Sequence, residues 1–503
     1  MLLPALMVFA MGAVQAQVNL YTFASSAGVY SPIVGTTIVA ANSDDTPVGA
    51  GSIGFPFNFN GTCFTEFRAN PNGHIRLGTA NPTSAYTPIS TTGNTNAIAL
   101  FGRDGRAFGG VQVETTGIAP NRVCVIQYAQ YQAVYNATTI YVDGQIRLYE
   151  GTNVVEMIYN NASASASTSG QVGLRGGSGA TDFNNRTTTT DWSATTAGGT
   201  SAASMTLSAA VLPTNGQTFT WTPPAVLDAA SISVFQTTPA CPGATESLTA
   251  RVENRGGTTI DLSTNPISVS VNVTGAAIAT LTGTASSGTI PSCGSYDIVL
   301  TPTLDMSAVG TYTFASTLTM TGDAVAGNNT SSNGITNAAL YAVPQVADFA
   351  AFTGVNLAAV HTGYSEGIGA ALPAGTTSAW AQSAAAQETG FLTRTTRVNL
   401  LAASKREWIV APKVVVGATD VISFKAAITD VGTVTPDASG GMLASDDDVQ
   451  VMISNNCGVS YTSLLTINAA NLQGVTNSLT QILVPLTSYV GQTVIVAIRA
   501  SEG

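Results

Sequence analysis

Ile53-Gly54-Phe55-Pro56-Phe57-Asn58-Phe59 places a phenylalanine at every second position. Successive side chains of a strand point to opposite faces, so the three Phe share one face and belong to a core. Outward from this run, Asn60-Gly61 and Asn72-Gly73 are hairpin-type turns, since Gly accepts positive φ without steric cost. His74-Ile75-Arg76-Leu77-Gly78 then alternates again, with Ile75 and Leu77 facing one way and His74 and Arg76 facing the other, which places His74 at the surface. Residues 145–149 and 154–159 flank Glu150-Gly151-Thr152-Asn153, a four-residue hairpin loop. Residues 217–221 read as a closing strand that carries Trp221, and Thr222-Pro223-Pro224 as a linker.

The same texture continues to the end of the chain. Short runs rich in Thr, Val, Ile and Tyr are separated by Gly, Asn, Asp, Ser and Pro, which predicts β-sandwiches rather than βαβ units. Ala-rich pieces such as 378–388 are candidates for a short helix. The chain has 503 residues, enough for roughly three domains at 100–200 residues each. The expected fold is all-β, with three consecutive β-sandwich domains over 17–224, 225–338 and 340–503.

Only 9% of the residues are charged, against about 25% in a typical domain, while 45% are apolar. Disordered chains show the opposite balance. A net charge of −11 without a Lys/Arg cluster argues against nucleic acid. Two histidines, His74 and His361, leave little room for His-dependent catalysis or zinc. Residues 2–14 are apolar and small, and Val14-Gln15-Ala16 presents small residues where a signal peptidase cuts. Residues 1–16 are therefore expected to be a signal peptide, too short for a membrane span. No Lys or Arg precedes the apolar core. The mature chain is expected to be extracellular or on the outer cell surface, with no membrane span.

Five cysteines fit an oxidising space, and no CxxC occurs. The simplest pairing keeps each bridge within one domain, Cys63 with Cys124 and Cys241 with Cys293. Cys457 is then left as a thiol or paired beyond Gly503.

Three resemblances add to this reading. The segments IGFPFNFNGTCFTEFRANPNGHIRLG, TTGIAPNRVCVIQY and GQIRLYEGTNVVEMIY resemble a β-sandwich module of secreted multidomain proteins of Bacteroidota-type bacteria. The turn Asn254-Arg255-Gly256 and the pair Asn328-Asn329 resemble the Ig-like CARDB modules that serve as spacers. In the last region, the runs at 408–412, 448–454 and 485–494 resemble the choice-of-anchor J or cleaved-adhesin family, a MAM-like jelly roll. That resemblance implies an extracellular adhesin or an accessory arm of a secreted peptidase, often exported by a type IX system. It also implies a closing strand and a sorting tail after Gly503, through which the secretion machinery would act.

The chemistry-bearing residues are few. Asp446, Asp447 and Asp448 form the densest acidic cluster and are candidates for a structural calcium ion, as Asp44-Asp45 are to a lesser degree. Calcium takes six to eight oxygens, and adjacent strand residues diverge, so at most two of the three can meet one ion. No GxSxG, HExxH or Walker motif is present, so no catalytic residue is named. Trp221 and Trp408 sit in alternating strands and read as core. Trp192 and Trp380 lie in Thr/Ser/Gly-rich loops and are the candidates for stacking on a sugar. The expected role is a secreted or cell-surface adhesin-like binding protein for glycan or matrix protein. The accessory region of a larger secreted hydrolase and a structural surface-layer component are the alternatives.

Overall fold

The alternation at 53–59 is realised in the strand Gly49–Phe59, whose Ile53, Phe55, Phe57 and Phe59 are all buried. The structure, a computed structural model, describes residues 17–502 except 47, 84–85, 178, 350–359, 384–394, 401–404, 429–442 and 477–478. The expected signal peptide at 1–16 lies outside the described residues, as does part of the expected helix at 378–388. Of that piece, Ala381–Ser383 is a strand paired with Thr395–Arg397. The regular structure of the described chain is nearly all strand, arranged in several sheets as an all-β, multi-domain sandwich fold.

Two eight-stranded antiparallel sheets form the first sandwich. One runs Thr22–Ala27, Gln217–Thr222, Val155–Ala164, Ile140–Tyr149, Val123–Gln132, Val111–Thr116 and Thr36–Val39, with Arg106–Ala107 beside the fifth. The other carries Gly49–Phe59 at an edge and Ala97–Gly102 and Thr168–Arg175 toward its middle. Their inner faces share one core, from Val18 to Trp221. Tyrosines also tie the sheets together. The buried hydroxyl of Tyr159 donates to the Leu100 carbonyl at 2.8 Å, and that of Tyr128 to the His74 carbonyl at 2.7 Å. A buried hydroxyl needs such a partner, so the two sheets are held in a single stagger.

The second sandwich packs Ala229–Gln236, Leu248–Asn254 and Ser295–Val299 against a four-stranded sheet of Ala279–Ala285, Ile267–Gly275, Gly310–Met320 and Thr330–Asn337. In Gly310–Met320 buried and more exposed residues alternate along most of the strand, as expected for one face in a core and one in water. In the third region, Thr493–Ser501 is central. It pairs with Arg406–Val410 on one side and Asp448–Ser454 on the other. Trp221 and Trp408 are both fully buried, as their strand positions indicate.

The cysteine pairing differs from the sequence expectation. The bridges are Cys63–Cys293 and Cys241–Cys457, and Cys124 is a buried thiol. The reason is the facing of side chains. Phe57 lies opposite Phe64 and Asn58 opposite Cys63, so Phe57 and Phe64 share the core side while Asn58 and Cys63 share the other. From that outer side, Asn58 Nδ2 donates to the Arg255 carbonyl at 2.6 Å, in the turn next to Cys293. Cys293 is fixed there by its N–H to the Asn254 carbonyl at 2.8 Å. Cys124 faces inward with Ile126 and Tyr128, away from Cys63. Each bridge thus joins two sandwiches rather than stapling one.

Candidate functional site

The two tryptophans expected at a binding surface are core residues. Trp192 is 1% exposed. It stacks on Phe219 with centroids 5.9 Å apart, meets Tyr159 edge-on, and donates its indole N–H to the Thr206 carbonyl at 2.8 Å. Its polar loop folds the ring in between the sheets, a placement no strand periodicity announces. Trp380 is 8% exposed and packs with Ile409 and Ala500. Neither ring is available to stack on a sugar.

The acidic triplet is also dispersed. Asp446 is exposed in a turn. Asp447 is buried and its Oδ2 accepts the Ala444 N–H at 2.9 Å. Asp448 begins a strand, where burial pushes its carboxyl above the usual range against the pull of Arg499 and Arg406. Among the described residues, the three carboxylates whose oxygens lie within 4.8 Å of one another are Asp44, Asp45 and Asp104. Burial and the neighbouring Asp45 and Asp104 raise the Asp44 carboxyl, while Asp45 accepts from the buried Asn72 amide at 2.9 Å. His74, expected at the surface, is fully buried, with Nε2 unpartnered.

What the structure does assemble is a groove of about 540 Å³ on the outer face of the first sheet. Its base is set by register. Gln112, Gln127 and Gln145 stand in one cross-strand row, Glu114, Val125, Arg147 and Glu156 in the next, and Thr116, Val123 and Tyr149 in a third. Its wall is the segment 28–35, which crosses this face between two strands. Ile33 N–H donates to Gln127 Oε1 at 3.0 Å, Gln145 Nε2 to the Ser31 carbonyl at 2.7 Å, and Arg147 Nη2 to the Val29 carbonyl at 3.2 Å. The strap ends are glycines because it lies so close. A Cβ on Gly35 would stand 2.2 Å from the Val113 carbonyl oxygen, and one on Gly28 2.6 Å from Thr218 Oγ1.

The groove is lined by apolar Val123 and Val125, by Ile33 and Val34 of the strap, and by the polar Glu114, Thr116 and Tyr149. Arg147 is occupied. It pairs with Glu156 at 3.1 Å and donates to Gln145 Oε1 at 2.8 Å. Tyr149 donates its hydroxyl to Glu156 at 3.1 Å, and burial with the nearby Glu156 raises its pKa. Glu114 is half-buried and has no hydrogen-bond or ion partner among the described residues. The arrangement offers aliphatic and aromatic surface beside one free carboxylate and a hydroxyl. That is the chemistry of holding a neutral polar ligand. The sequence shows Gln145, Arg147 and Tyr149 as the outward set of an alternating strand. It does not show the strap, whose residues lie more than a hundred positions away.

Among the described residues, no helix is long and apolar enough to cross a membrane. No curated protein matches the chain. The stretch that builds the first sandwich and its groove, residues 20–223, matches the protein-family model described as NIDO related.

Proposed function

We propose that this chain is a non-catalytic, secreted or cell-surface binding protein whose groove between the strap and Tyr149 takes a neutral glycan. The observation that carries the reading is Glu114. On a face where the strap, the glutamine row and Arg147 satisfy one another, it alone among the groove's charged groups is left to accept from a ligand hydroxyl. Val123, Val125 and the Tyr149 ring supply apolar surface for the C–H face of a sugar. The NIDO-related match supports an extracellular, adhesion-type module over this stretch. The two disulfides support an oxidising location. In the same reading the second sandwich is a spacer. The third region, through its resemblance to choice-of-anchor J domains, belongs to a surface protein exported by a type IX system. An extracellular protein displaying such a glycan is the natural partner.

The test is a screen of neutral glycans followed by calorimetry on the best one. A hydrogen bond to a charged group contributes about 1.5–3 kcal/mol against about 0.5–1.5 kcal/mol for a neutral one, so Glu114→Gln, which keeps an acceptor oxygen, is expected to weaken binding roughly five- to tenfold. Tyr149→Ala is expected to do the same, with Tm nearly unchanged for Glu114→Gln. Saturable binding that neither substitution affects, or no binding to any neutral glycan, overturns the proposal.

A further inference from the structure

We propose that the chain is a tension-bearing tether, in which the two disulfides route end-to-end load from one bridge to the other through the second sandwich. This goes beyond ligand binding and stands whether or not the groove takes a glycan. The ground for it is the interleaving of the bridges. Cys63–Cys293 closes first, and Cys241, which lies inside that loop, bridges out to Cys457.

Three covalent routes therefore connect one bridge to the other. From Cys63 forward to Cys241 there are 178 residues (241 − 63), and from Cys293 forward to Cys457 there are 164 (457 − 293). The third route runs backward through 52 residues (293 − 241) of the second sandwich. The shortest route becomes taut first. Most of the first sandwich and most of the third region lie on the two longer routes and remain slack. Outside the bridges, load is carried by the residues before Cys63, which include Thr22–Ala27, Thr36–Val39 and Gly49–Phe59 of the first sandwich, and by those after Cys457, which include Thr493–Ser501 of the third region.

The second sandwich is built to receive that load along its strands. Cys241 sits in the loop at the Leu248 end of Leu248–Asn254, closed by Thr237 N–H to the Ser247 carbonyl at 2.8 Å. Cys293 sits at the Asn254 end. Its neighbour strand Ser295–Val299 starts at that end and runs antiparallel, from Glu253↔Ser295 to Thr249↔Val299. Tension draws Leu248–Asn254 toward Cys241 and Ser295–Val299 toward Cys293. The strands are pulled past each other along their axes, while their hydrogen bonds lie across them. Five registered pairs must then yield together instead of peeling one at a time. In the middle of this ladder, Arg251 holds Asp297 by two hydrogen bonds of 2.7 Å. At the joints, Asn58 grips the Arg255 carbonyl, and Lys413 Nζ meets Asn337 Oδ1 at 2.6 Å in a buried pair.

The experiment is single-molecule pulling of the full chain from its two ends, oxidised and then with reductant added in place. At about 3.3–3.6 Å per extended residue, the oxidised chain stops near roughly 500 Å and the reduced chain near roughly 1,700 Å. Opening one bridge alone, by Cys63→Ser with Cys293→Ser or by Cys241→Ser with Cys457→Ser, gives about 900 Å on the same scale. The last rupture of the oxidised chain should also need more force than any step of the reduced chain. An oxidised chain that extends to the reduced length overturns the proposal. So does a second sandwich that opens at the same low force in both states.

Discussion

His74 is fully buried beside Asn72, and among the described residues its only ring hydrogen-bond contact is a 3.4 Å approach of Nδ1 to the Asn72 carbonyl. Burial, slightly offset by that contact, lowers its pKa from 6.5 to about 4. Above pH 6.5 the ring is neutral in folded and unfolded chains alike, and full stability is present. As pH falls from 6.5 to about 4 the unfolded chain takes up a proton that the folded chain refuses, so stability is lost; below about 4 the loss is complete. At about 1.4 kcal/mol per pKa unit, the group accounts for a loss on the order of 3 kcal/mol. Urea unfolding of wild type and His74→Gln at pH 7 and pH 4 checks this: the variant should show the smaller acid loss, and equal losses contradict it. The sequence placed His74 opposite the inward Ile75 and Leu77, which is right. It misjudged exposure because a strand within a sheet can be covered on both faces. On that other face its neighbours Asn70 and Arg76 bond to Thr83, Asn81 and Thr95 of the segment that follows the strand, a cover that alternation along one strand does not reveal.

Among the elements, strands were legible and loops were not. Trp221 and Trp408 belong to alternating runs, and their burial follows from the period of two. Trp192 belongs to a run of Thr, Ser, Gly and Asp, where the neighbours carry no period at all. Its burial is decided by the gap between two sheets, into which a large ring fits against Phe219, Tyr159 and Phe101. Trp192→Ala should therefore act on stability. Removing a buried Trp leaves a cavity and an unpaired Thr206 carbonyl, at a cost of about 3–5 kcal/mol. Equilibrium unfolding measures that cost directly, and a loss of under 1 kcal/mol would return Trp192 to the surface. The groove was half legible for the same reason. Its outward rows are written in the alternation of 145–149, but its wall arrives from residues 28–35, and only the folded sheet brings the two together.

For the whole molecule, composition and punctuation were enough for the all-β, multi-sandwich fold. The bridges were not, because pairing nearest cysteines assumes that each domain stabilises itself. Facing overrides that assumption: Cys63 shares its side of the hairpin with Asn58, and Cys124 points into the core. Burial pushes the Cys124 thiol up to about 12, with a contact to Thr115 partly opposing, so its reactive thiolate is scarce at neutral pH. Native alkylation should then label no cysteine. Denaturation without reductant should expose one thiol per chain, and a non-reducing peptide map should join the peptides of Cys63 and Cys293 and those of Cys241 and Cys457. A map joining Cys63 to Cys124 contradicts the structure.

The burial of Cys124 also bears on how the chain is made. Cysteines emerge in the order 63, 124, 241, 293, 457, and oxidation at first encounter would join neighbours in that order. The native partners are 230 and 216 residues apart. Cys63 must wait as a thiol until residue 293 has appeared, and Cys241 until residue 457 has. Closing the first sandwich around Cys124 takes that thiol out of reach of the first wrong bond. In this protein, the native pairing is reached directly only if folding outruns oxidation.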